Sequence, residues 1–321
     1  MWFWLSLITL LCWSGSDLFS KIGCRDADDK LSHLKMVIAV GTVMGLHAAF
    51  EIFVSGTPIS WSVIWTYLPV SLLYIGSMAL GYLGLRYIEL SVSSPICNSS
   101  GALVAVLTLL FVGGDDYSPL ALCAILLVCA GAIGLGVVDA TEDPELRAER
   151  QKDGNYKYAK SFLALALPVA YCLLDAAGTF ADNRVLEILT DCFLAAGMAA
   201  TRKECVDLAA ASANCAYELT FLAAAVVCFI YVVLIRKDKL IPRLEGPKYL
   251  GAICETAGQF AYIYAIADTS HLAMSAPIIA SYCAASVLWS RLFLKEKLSW
   301  KHYAMIGLIV IGIALMGMLD L

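Results

Sequence analysis

Charge is what this chain has least of. Only 15% of its 321 residues are Asp, Glu, Lys or Arg, where a soluble domain carries about 25%. Apolar residues make up 60% and the mean hydropathy is +0.78, which excludes a water-soluble fold. Histidine is scarce too. His33, His47, His271 and His302 are scattered along the chain, and no Cys-x-x-Cys or histidine-rich spacing offers a metal site. A nucleophile, base and orienting group cannot be assembled from such a set, so neither an enzyme nor a cofactor is expected. No basic patch interleaved with aromatics is present, so nucleic acid is not an expected partner. The opening Met1-Trp2-Phe3-Trp4-Leu5-Ser6-Leu7-Ile8 has no positive leading region and no small-residue cleavage site. It reads as a first helix and not as a signal peptide.

What the chain does have is long apolar runs. Roughly 20 apolar residues cross the hydrocarbon core. Ten stretches qualify, at 3–22, 33–54, 63–85, 93–112, 119–138, 160–181, 215–235, 248–267, 271–290 and 301–319. The expected fold is an all-α membrane protein of ten transmembrane helices, with the lipid bilayer as its surroundings. Most gaps are short, which favours antiparallel neighbours. Trp2, Trp4, Trp61, Trp65 and Trp300 read as an interfacial aromatic belt.

Lysine and arginine set the orientation. Of the 22, all but Arg184, Arg202 and Lys203 fall in or beside odd-numbered loops. Positive residues stay in the cytoplasm, so the odd loops are expected inside and both termini outside, in a plasma (inner) membrane. The odd one out is the sixth loop, 182–214, which is unusually long and would be extracellular. Val185, Leu186, Leu189, Phe193 and Leu194 are spaced for a short amphipathic helix, and 202–212 offers a second. Cys192 and Cys205 flank the turn between them, and a disulfide there is allowed outside the cell; free thiols or a pairing with Cys215 are the alternatives. The remaining cysteines sit nearly all in apolar spans, as small hydrophobes. The stretch 139–159, broken by Pro144 and Gly154, reads as a cytoplasmic linker between halves.

The two halves repeat. Ser93-Ser94-Pro95-Ile96 matches Ser275-Ala276-Pro277-Ile278 at an offset of 182, and Leu110-Phe111 falls on Leu292-Phe293. Asp115-Asp116 falls on Lys297-Leu298 at the same offset. Trp13 followed by Asp17 matches Tyr171 followed by Asp175 at an offset of 158, the long sixth loop making up the difference. The division is 1–138 for the first repeat and 160–321 for the second, with a helical insert at 182–214. Five helices per half reverse the direction of entry. The repeat is therefore expected to be inverted, an arrangement suited to alternating access around a midplane site.

Leu292-Phe293-Leu294-Lys295-Glu296-Lys297-Leu298-Ser299-Trp300, followed by Gly307-Leu308-Ile309-Val310-Ile311-Gly312, resembles the helix 9–10 signature of EamA-type transporters of the drug/metabolite transporter superfamily. Trp13-Ser14-Gly15-Ser16-Asp17-Leu18-Phe19-Ser20-Lys21 is similar to that family's opening motif. Gly113-Gly114-Asp115-Asp116 departs from the family's usual Gly-Glu-Arg/Lys. The resemblance implies a central solute cavity lined by spans 1, 3, 4, 6, 8 and 9, with spans 5 and 10 at the periphery.

Ionisable side chains at membrane depth are costly and need a reason. Glu255 stands near the midplane of span 8, with Gln259 and Tyr262 one and two turns on along the same face. Its counterpart at an offset of 182 is Leu73. Asp17 and Asp175 are repeat mates, each one turn beyond an aromatic, Trp13 or Tyr171; Lys21 at i+4 is a possible structural partner for Asp17. Tyr74, Tyr82 and Tyr282 add aromatic faces, and acids with aromatics suit an organic cation. Pro95 and Pro277 are placed to distort their helices or to act as simple N-terminal prolines. His47 and Glu51, four apart, form a weaker candidate for passing protons. The reading is a secondary transporter of a small polar metabolite, cationic or zwitterionic such as an amino acid or organic amine, with proton coupling an open option and a monomer or homodimer as the assembly. A nucleoside, sugar or lipid-linked solute, or a membrane scaffold that transports nothing, remain the alternatives.

Overall fold

A computed structural model describes residues 1–26, 28–111, 118–141 and 162–319, and every described element is helical. The first half comprises α1 (Trp2–Cys24), α2 (Ser32–Phe50), α3 (Trp61–Tyr87), α4 (Leu90–Asn98), α5 (Ser100–Phe111) and α6 (Pro119–Ala140). The second comprises α7 (Phe162–Ala195), α8 (Arg202–Phe229), α9 (Pro242–Ile266), α10 (Leu272–Ala280), α11 (Tyr282–Phe293) and α12 (Trp300–Leu319). With α4–α5 and α10–α11 each taken as one broken helix, these match the ten expected stretches. Seven of them are long and apolar enough to cross a membrane by length and composition. Beyond Thr141 the linker 139–159 lies outside the described residues, as do Gly113-Gly114-Asp115-Asp116.

The largest departure from expectation is at 182–214. No separate insert exists there. The 34-residue α7 runs through Val185, Leu189 and Phe193 to Ala195, and α8 begins at Arg202. Gly197, at φ +65°, ends α7. Its N–H reaches the Leu194 carbonyl while Met198 N–H reaches that of Phe193, the paired bonds of a Schellman stop. Thr201 and Glu204 then form a capping box that starts α8. Leu186, Leu189, Phe193, Cys205, Ala209 and Ala213 are buried in the larger core cluster. The charges that lowered local hydropathy pair on the outside, Arg184 with Glu187 at 2.9 Å and Arg202 with Asp191 at 2.7 Å.

Cys192 and Cys205 are both free thiols, and so is Cys215. Cys192 is exposed while Cys205 is buried among the alanines of α8, so the two point into different surroundings. The expected disulfide is not formed.

Helix pairing follows from small residues at the crossings. Gly41 of α2 meets Phe221 and Ala225 of α8; Gly131 of α6 meets Met305 and Ile309 of α12, and Gly312 returns the contact to Ala124 and Val128. A side chain larger than hydrogen at these points would hold the backbones apart. Other pairs include α1 with α9, α3 with α7, α2 with α9, α3 with α8, α5 with α10 and α4 with α11. Shift every label by six and each of these becomes another of them, whereas α4 with α6 has no comparable counterpart. The breaks obey the same rule, since α4–α5 divides at Ser99 and α10–α11 at Ser281, again 182 apart. Both α2 and α8 end in a π-helical turn, Glu51–Ser55 and Ile230–Ile235. Trp4, Trp61, Trp65 and Trp300 are exposed, as belt residues would be. Trp2 is not: it is 4% exposed and stacks on His271 at 5.0 Å.

Two large core clusters and a small one around Ile88 and Val92 result, and Trp13 packs against both large ones. The cavity lies beside it.

Candidate functional site

One cavity gathers ten residues singled out from the sequence: Trp13, Asp17, Tyr74, Tyr82, Tyr171, Asp175, Glu255, Gln259, Tyr262 and Tyr282. About 950 Å³ of space, part of it open to solvent, lies between its walls. The walls come from α1, α3, α4–α5, α7, α9 and α10–α11, with Tyr217 of α8 in addition; α6 and α12 contribute nothing. This is the distribution that the family resemblance implies, apart from Tyr217.

Three carboxylates face the space, each half-buried. Asp17 does not pair with Lys21. Its Oδ2 accepts from Ser94 Oγ at 2.5 Å and from Ser286 Oγ at 2.8 Å, hydroxyls carried by the two broken helices. Lys21 instead donates to the carbonyls of Leu85 and Ile88, at 2.7 Å each. Asp175 Oδ2 accepts from Ser100 Oγ at 2.7 Å, the residue just past the first break. The described lining contains no lysine, arginine or histidine.

Aromatic rings fill the intervals. Trp13 stands 5.0 Å from Tyr262 and 5.8 Å from Tyr282, centroid to centroid, and its Nε1 donates to the Glu255 carbonyl at 3.3 Å. Glycines make room for the two repeat-mate aromatics. The Trp13 indole lies where a side chain at Gly258 would be, and the Tyr171 ring lies against Gly81 in the same way. Two polar groups on the wall lack partners: Tyr82 Oη and Gln259 Nε2, on side chains 6% and 3% exposed.

Sequence reasoning missed four features here. It placed Asp182 in an outer loop, but Asp182 is fully buried, accepting from Tyr67 Oη at 2.6 Å and Tyr74 Oη at 3.2 Å. Thr179 joins the same network, its hydroxyl standing 3.3 Å from that of Tyr74 and 3.2 Å from that of Tyr262. Tyr217, whose hydroxyl donates to Met78 Sδ at 3.1 Å, gave no sign in a run of alanines. His47 Nε2 stands 4.0 Å from Glu51, at the limit of an ion pair. Its Nδ1 meets both oxygens of Glu218 on α8 at 2.9 Å, outside the cavity. The prolines sit inside α4 and α10, four residues before the breaks. What those breaks bring to the cavity is side chains, Ser94, Asn98 and Ser100 among them.

Apolar helices around a polar central cavity define a multi-pass integral membrane protein. Residues 185–318 match the EamA-like transporter family, which bears out the resemblance read from the helix 9–10 motif. A crystal structure of another protein superposes with a TM-score of 0.59 at 15% identity, over 98% of this chain and 96% of that one, showing a shared fold. No curated protein matches the chain.

Proposed function

We propose that the chain is a secondary transporter of a small organic cation, moving it by alternating access between two inverted five-helix repeats, 1–138 and 160–321. The observation that carries this is the cavity's charge: three carboxylates among aromatic rings, with no basic side chain in the described lining. A carboxylate held away from water must find a cation or a proton, and aromatic faces attract the former. A zwitterion is less well served, because its own carboxylate would meet three others. The repeat reading is supported by the matched breaks at Ser99 and Ser281, the paired π turns and the reciprocal helix packing. Odd loops inside and both termini outside follow from the lysine and arginine distribution. That places α1 to α12 as ten crossings of a plasma (inner) membrane, joined through the linker 139–159.

On this reading the repeat mate of Glu255 is Met78, not Leu73. Trp13 seats on Gly258 and its mate Tyr171 on Gly81, which aligns α3 with α9 at an offset of 177. Met78 lines the cavity and Leu73 does not. One repeat therefore faces the solute with a carboxylate where the other presents a thioether, so the cavity has a charged and an apolar side.

The test is thermal unfolding of the purified protein against a panel of amines, quaternary ammonium ions, amino acids and nucleosides, since a ligand of the folded state raises its stability. Amines are expected to stabilise the protein, and Glu255→Gln to abolish the effect while its unliganded unfolding stays cooperative. Stabilisation by a nucleoside or sugar alone, or amine stabilisation that survives in Glu255→Gln, would overturn the assignment.

A further inference from the structure

We infer that the solute carries at least two, and up to three, cationic nitrogens on a flexible methylene chain: a linear polyamine. The inference rests on the cation-transporter reading above and narrows it.

The carboxylates stand on three different helices, Asp17 on α1, Asp175 on α7 and Glu255 on α9. They do not converge. Among the described residues no group of three or more His, Cys, Asp and Glu side chains is close enough to hold one metal ion. A single compact cation would satisfy one carboxylate and leave two at membrane depth that must each take up a proton or stand without a counter-charge, which is costly. A ligand whose charges are spaced apart meets all three. The hydrogen bonds given to Asp17 and Asp175 all fall on Oδ2, from Ser94, Ser286 and Ser100. Those serines hold each carboxylate in place and leave Oδ1 for an ammonium.

The surfaces between the acids suit what lies between the nitrogens of a polyamine. Trp13, Tyr262 and Tyr282 form a continuous aromatic run from ring to ring, and methylenes beside an ammonium lie well on such faces. Two further groups point to an absent ligand. Gln259 Nε2 and Tyr82 Oη line the cavity, are nine-tenths buried and have no partner. The Tyr82 oxygen can accept from an ammonium or an inner amine, and the same holds for Gln259 if its amide is turned to present oxygen, because oxygen and nitrogen exchange places on a flip.

Isothermal titration of the purified full chain at constant ionic strength decides it, with butylamine, putrescine and spermidine as a ladder of one, two and three nitrogens. Affinity is expected to rise by about tenfold or more at each step, the size of a modest charge-assisted contact. Asp17→Asn and Asp175→Asn should each collapse the spermidine-over-putrescine ratio towards one. The wild-type ladder needs no variant, so a substitution that unfolds the protein does not spoil the test. Butylamine binding as tightly as spermidine would overturn the polyamine proposal and leave the cation reading standing. No binding of any amine, with Glu255→Gln indistinguishable from wild type, would overturn both.

Discussion

Replacing Gly258 by alanine puts a methyl group where the Trp13 indole sits. The new Cβ would lie 2.4 Å from Trp13 Cδ1 and 2.6 Å from Nε1, whereas carbon atoms rest comfortably about 3.5–4.0 Å apart. The indole must withdraw by roughly 1 Å to restore that separation, and it is not free to do so. Tyr262 and Tyr282 flank it at 5.0 and 5.8 Å, and its Nε1 is bonded to the Glu255 carbonyl. Overpacking of this kind costs about 1–3 kcal/mol. Alanine's advantage over glycine within a helix returns up to about 1 kcal/mol. The net loss should be about 1–2 kcal/mol, a fall of a few degrees in unfolding temperature. Gly81→Ala is the milder companion, because its Cβ would stand 2.9 Å from Tyr171 Cδ2. Gly307→Ala on α12 is the control, since nothing lies within 4 Å of its Cβ; it should be neutral or slightly stabilising. Scanning fluorimetry in detergent should rank the losses Gly258 first, Gly81 second and Gly307 last. If Gly258→Ala unfolds with Gly307→Ala, the indole is not seated on α9 and the geometry of the cavity wall is wrong.

Three more outcomes can be checked. Glu218→Leu leaves His47 without the carboxylate it meets at 2.9 Å and should cost about 1–3 kcal/mol; adding His47→Leu should recover part of that, and additive losses in a thermal double-mutant cycle would rule out the pairing. In native detergent without reductant, Cys192 should alkylate and Cys205 should not, because the first is exposed and the second buried; recovery of a linked 192–205 peptide by mass spectrometry would restore the disulfide. A reporter fused after Leu321 should be active only outside the cytoplasm, and cytoplasmic activity alone would reverse the proposed orientation.

Much of the architecture was legible in the chain because a bilayer asks little of a sequence. A helix that crosses it must be apolar over its length, so apolar runs mark the helices without knowledge of their neighbours. Repeat motifs survive as well: Ser-Ser-Pro-Ile against Ser-Ala-Pro-Ile marked two helices that do break at matching places. Costly acids at depth advertised Asp17, Asp175 and Glu255, and aromatics one turn away completed most of the wall. Elsewhere local composition misled. Charges on the outer faces of α7 and α8 made continuous helices look like a loop, and only packing shows that Leu189 and Ala209 face inward while Arg184 faces out. Asp182 looked like a loop residue for the same reason, though Tyr67 and Tyr74 reach it from another helix. Lys21 stands four residues from Asp17 and turns to carbonyls at the end of α3, leaving the aspartate to serines 77 and 269 positions away. Hydropathy and periodicity depend on neighbours along one helix, and these could be read directly. Partners across helices depend on which faces meet, and that is decided by close packing at Gly41, Gly131 and Gly258 once the whole bundle has formed.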